Sequence, residues 1–84
     1  MIPKESIEIA YSFLHQKRNV YIHSSLGWQR EDIEYAVASY ADEMNRELLD
    51  ALSGGREDFL KAHSRFEEDL TSAVAALERM LQNG

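Results

Sequence analysis

Three histidines (His15, His23 and His63) and several adjacent acidic residues are the side chains of this chain that could hold a metal or move a proton. The acidic groups are Glu31-Asp32, Asp42-Glu43, Glu57-Asp58 and Glu67-Glu68-Asp69. A di-iron centre inside a helical bundle needs a glutamate three residues before each of two histidines, plus two further glutamates. At that spacing stand Ser12, Val20 and Leu60, so the motif is missing at all three histidines. Acid–base work needs two carboxyls whose surroundings drive their pKa values apart. These acids fall on polar helix faces and at helix starts, where water solvates them alike. Nucleophilic catalysis would have to use serine, because there is no cysteine. Ser24 and Ser25 beside His23, and Ser64 beside His63, are sequence neighbours, which point about 100° apart on a helix and so do not converge. No phosphate-binding or dinucleotide-binding glycine pattern occurs. Neither catalytic, cofactor-binding nor metal-binding residues are expected, and no cofactor or small-molecule ligand. The chain is not expected to be an enzyme.

His63 falls on the apolar side of its segment, which reads as an edge-of-core histidine tethered to Glu67 four residues on. His15-Gln16-Lys17-Arg18 is a small basic cluster whose Lys17 and Arg18 interrupt an apolar arc, and these two are expected to pair with acids of the second helix, either across the bundle or across a dimer.

The net charge is −6, from fifteen acidic against nine basic residues. Such a chain repels phosphate backbones and anionic lipid headgroups, so no nucleic acid or membrane partner is expected. No apolar run approaches the roughly 18 residues that cross a bilayer. The segment Met1–Ser6 carries Lys4 and Glu5 and does not open a secretory signal, so a cytoplasmic location is expected. Without cysteine there is no disulfide to reinforce the fold. The length, 84 residues, fits one thin-cored domain spanning 1–84.

Helices must position whatever these residues do. Glycine is scarce, and Gly27 and Gly54-Gly55 divide the chain into segments of about 3–25, 29–52 and 56–82. In the last, Phe59, Ala62, Phe66, Leu70, Ala73, Val74, Leu77, Met80 and Leu81 share one arc of roughly 120°. Gly55 is expected to cap it, with Glu57 and Asp58 in its first turn. In the second, Ile33, Val37, Tyr40, Ala41, Met44, Leu48, Ala51 and Leu52 share an arc. Gln29 reads as its weak cap, Trp28 and Ile33 as a staple, and Gly54 as a left-handed stop. Trp28 is expected to plug the bundle end where the first two helices meet. The first segment carries two stripes, Ile7, Ala10, Tyr11, Leu14 and Tyr21 beside Ile9, Phe13 and Val20, covering roughly 200°. A helix to about Ser25 explains both. The competing reading makes 19–23 a short strand, for which no other strand is available as partner.

The expected architecture is all-α: an antiparallel three-helix bundle, up-down-up, dimerising through its first helix. Apolar coverage of that helix exceeds what two neighbours can bury. Ile9, Phe13, Val20, Tyr21, Ile22 and Trp28 are therefore the candidate interface. The expected function is a small non-enzymatic protein–protein interaction or oligomerisation module, its partner a second copy (a homodimer) or another helical protein. The alternative is an acidic regulatory or inhibitory protein, antitoxin-like or a nucleic-acid mimic, that binds a basic partner through the acids of its second helix.

Overall fold

A computed structural model describes residues 2–83. All regular structure among them is helical: α1 (Lys4–His23), α2 (Gly27–Glu43), α3 (Arg46–Ser53), a single 3-10 turn at His63–Arg65, and α4 (Phe66–Asn83). There are thus four helices where the sequence suggested three.

α1 forms as expected and is helical through 19–23, so the strand reading of that stretch is set aside. Pro3 is its N-cap, in the extended conformation its ring favours, and accepts from the Ser6 amide at 3.0 Å. At the other end the His23 ring, through Nδ1, meets the Asn19 carbonyl at 2.8 Å, a last-turn bond that satisfies a helix-end acceptor. Ser24 then turns extended and ends the helix.

The expected helix 29–52 is broken. Met44 is extended, and Asn45 caps a new helix by accepting from the Leu48 amide at 3.1 Å. Asparagine mid-segment offers the backbone a local alternative to the helical ladder, and here that alternative wins. Both pieces still face the core, through Ile33, Val37 and Ala41 on α2 and Leu48 and Leu52 on α3. Ala51, placed in the apolar arc by periodicity, is exposed. Gly54, at φ 63°, is the left-handed stop.

The last helix begins at Phe66, ten residues later than the glycine pair suggested. Residues 56–62 instead make a turn in which the Asp58 carbonyl accepts from the Lys61 and Ala62 amides at 2.9 and 3.0 Å. Leu60 sits at φ 65°, a left-handed conformation that costs a non-glycine residue about 1–2 kcal/mol. Its side chain is wholly buried, and its amide donates to Asp69 Oδ2 at 3.2 Å. Asp69, itself buried, also receives the Arg56 guanidinium on both oxygens, at 2.8 and 3.1 Å. Its partners hold its charge out of water, and they are what folds the turn onto α4.

α4 packs mainly on α1, α2 on α1, and α3 on α4. The core runs through Leu14, Val37, Leu48, Leu60, Phe66, Leu70 and Leu77, all fully buried. Residue pairs fix the alignments. Phe13 stacks on Tyr40 and Tyr21 bonds Glu34, while Arg18 reaches Thr71 and Tyr21 meets Phe66.

Candidate functional site

Two places gather side chains that could act on another molecule. The first is a cleft of about 460 Å³ between the end of α1, the start of α2 and the 3-10 turn. Glu34 stands at its centre. It accepts from the Tyr21 hydroxyl at 3.1 Å, and its two oxygens lie 2.8 and 3.1 Å from His63 Nδ1. Arg30 closes one side, with its guanidinium 4.6 Å over the Tyr21 ring and its Nε donating to the Ser24 carbonyl at 3.1 Å. Ser24 in turn donates to Gln29 at 2.7 Å, so Gln29 braces the α1–α2 connection instead of capping α2, whose cap is Leu26.

Burial first, then the bond to Glu34 and its charge, push the Tyr21 hydroxyl above its ordinary range. It stays protonated at neutral pH and donates; it is no base. His63 is 82% exposed at its side chain, far from the apolar edge position expected for it, and its partner is Glu34 of α2, not Glu67. The reason is that residues 56–62 form a turn and 63–65 a 3-10 turn, not α-helix, so the α-helical periodicity that placed His63 inward does not apply. Ser64 lines the cleft without a hydrogen bond to either His63 or Glu34. The cluster ties three elements together and offers no activated nucleophile. Among the described residues, no group of three or more His, Asp or Glu is arranged to hold a metal.

The second place is the surface of the α1–α2 half. Of the six candidate interface residues, Ile9 (54%), Val20 (48%) and Trp28 (61%) are well exposed, and Ile22 also lies open. Trp28 therefore does not plug the end of the bundle. α2 starts at Gly27, which places Trp28 on the solvent side of the first turn, so it forms no staple with the buried Ile33. Tyr21 is buried, its ring 4.9 Å from that of Phe66, and so belongs to the core. Phe13 is half-buried, stacked on Tyr40 at 4.3 Å and covered by Lys17, whose Nζ lies 5.4 Å from its ring centre. Within the chain neither Lys17 nor Arg18 pairs with an acid of α2; Arg18 donates to Thr71 of α4 at 3.2 Å.

Two exposed apolar residues escaped the sequence reading, Leu26 and Tyr35, the latter 78% exposed. The signal for Tyr35 was its spacing: seven residues after Trp28, it falls on the same side of α2, opposite Ile33, Val37 and Ala41. No helix among the described residues is long and apolar enough to cross a membrane.

No known family model, curated protein or solved structure matches this chain.

Proposed function

We propose that this protein is a small non-enzymatic helical interaction module whose contact surface lies on its α1–α2 half. One observation carries the reading. The large apolar side chains left exposed are Ile9, Val20, Ile22, Leu26, Trp28 and Tyr35, all within residues 9–35, while α3 and α4 leave none exposed. Exposed apolar surface confined to one stretch of so small a domain is what a partner would cover. The partner is a second copy or another helical protein. The pair order along the helices supports an antiparallel setting of α1 against both α2 and α4. α2 and α4 then run the same way, with residues 44–65 as the return, in place of a simple up-down-up order.

Light scattering after size exclusion, joined to a pull-down, tests this with one variant: Ile9→Ser, Val20→Ser, Trp28→Ser and Tyr35→Ser combined. The native chain is expected either to exceed its 9.7 kDa monomer mass as concentration rises or to retain a partner. The variant, still helical by circular dichroism, loses whichever the native chain shows. A monomeric native chain that retains the same proteins as the variant overturns the reading.

A second reading is an acidic regulatory protein that binds a basic partner, whether antitoxin-like or a nucleic-acid mimic. What favours it is the acidic outer side of α2.

A further inference from the structure

α2 turns its core side, Ile33, Val37 and Ala41, toward α1. At 100° per residue, the opposite arc of about 120° holds Trp28, Glu31, Asp32, Tyr35, Ser39, Asp42 and Glu43. All seven are exposed, so no other element among the described residues covers this ridge. It carries two aromatic rings, four carboxylates and no cation. The one arginine of the helix, Arg30, is turned away and held between Tyr21 and Ser24. Lys61 reaches the far end of the ridge and pairs with Asp42. Glu31, Asp32 and Glu43 have no cationic partner among the described residues.

We infer that the outer face of α2 docks a basic helical segment of another protein, seating Arg or Lys side chains on Trp28 and Tyr35 and pairing them with Glu31, Asp32 and Glu43. Charge complementarity selects this occupant. An aromatic face flanked by carboxylates is a cation receptor, because the ring quadrupole and the carboxylates both attract positive charge. Trp28 and Tyr35 are one heptad apart, about 10 Å along the axis, which matches basic residues at i and i+7 of a facing helix. The same face of a second copy would set carboxylates against carboxylates. The chain's own cations are mostly occupied. Arg46, Arg56, Lys61 and Arg65 are in ion pairs, Lys17 lies over Phe13, Arg18 is bonded to Thr71, and Arg30 is held as described. That leaves Lys4 and Arg79 alone among the nine Lys and Arg residues, and favours a positive complement from another protein.

The inference rests on the reading of the α1–α2 half as a contact surface, and the test separates the two. The probe is a fluorescein-labelled amphipathic helical peptide of about 20 residues, with arginines at i, i+3 and i+7, followed by anisotropy. Its control replaces each arginine by glutamine. Saturable binding of the arginine peptide alone is expected, weakening at least about tenfold from about 0.1 M to about 1 M salt as screening shortens the reach of the charges. Tyr35→Ala with Trp28→Ala, and separately Glu31→Gln with Asp32→Asn and Glu43→Gln, should each weaken it at least about tenfold. Removing three exposed acids elsewhere, by Glu57→Gln, Glu67→Gln and Glu78→Gln, should change it by less than about twofold if the site is local. Equal loss from both acid sets would mean that net charge alone attracts the peptide, and overturns the inference. So does equal binding of the glutamine control, or no binding of either peptide. If the peptide fails while the native chain self-associates through Trp28 and Tyr35, the contact-surface reading stands and its occupant is a second copy. If self-association and partner retention are absent too, both fall.

Discussion

Set residues 2–43 beside residues 44–83. In the second stretch Leu48, Leu52, Phe59, Leu60, Phe66, Leu70 and Leu77 are all buried, and no large apolar side chain is left exposed. In the first, the same fold leaves Trp28 and Tyr35 more than half exposed on α2, and Ile9 and Val20 about half exposed on α1. The difference follows from who packs on whom. α4 is covered by α1 on one side and elsewhere by α3, the 3-10 turn and, through Asp69, the 56–62 turn, whereas α2 has α1 as its main neighbour. α2, with one packed side, buries one stripe and leaves Trp28 and Tyr35 in water, while α1, packed on α2 and α4, still carries Ile9 and Val20 beyond its buried stripe. The stretch that returns the chain toward α4 thus seals one half and leaves the other open.

The largest break in this contrast should come from the sealed seam. Phe66→Ala removes a ring that is fully buried against Tyr21, and should cost about 3–5 kcal/mol in urea unfolding, a large share of a small domain's stability. Next comes the turn that does the sealing. Asp69→Ala orphans the buried Leu60 amide and should cost about 1–3 kcal/mol. Hydrogen exchange at Leu60 should then accelerate before exchange in α1 does. If α1 loosens equally, the turn is not a separate unit.

A pH scan sharpens the boundary between the halves. Tyr21 and Tyr40 both have raised pKa values, Tyr21 from burial first and then its bond to Glu34, Tyr40 from burial. Below the unfolded value of about 10 both hydroxyls are neutral in either state, and stability is flat with respect to them. Above it the unfolded chain releases these protons more readily than the folded one, so stability should fall as pH rises through the folded values. Tyr21→Phe should flatten part of that alkaline decline, read as melting temperature against pH. An unchanged slope would show that Tyr21 ionises as freely folded as unfolded.

The smallest effects belong to the open half. His63→Ala breaks an exposed pair with Glu34 and should change stability by less than about 1 kcal/mol. Tyr35→Ala should leave unfolding within about 0.5 kcal/mol of the native chain. A loss of 2 kcal/mol or more at Tyr35, roughly the cost of a buried side chain, would mean that it packs inward and the contrast is overstated.

Sequence alone determined the all-helical character, the stop at Gly54 and most of the core, and it favoured helix over strand at 19–23. Each is written in local chemistry: the spacing of Leu14, Ile33, Val37, Leu70, Ala73 and Leu77, and the φ freedom of glycine. Two further local signals favour the observed helix boundaries. Asn45 is a strong cap in the middle of an apolar arc, and Glu67-Glu68-Asp69 is a better first turn than Glu57-Asp58. Only the tertiary structure decided that residues 56–65 are not α-helix. Asp69 gathers Arg56 and the Leu60 amide across 9 to 13 positions of sequence and holds Leu60 left-handed, which no local preference would do. It also decided which of the apolar residues of α1 and α2 stay in water. Periodicity tells which residues share a side of a helix, but how many sides are covered depends on neighbours that the chain brings up only once it has folded.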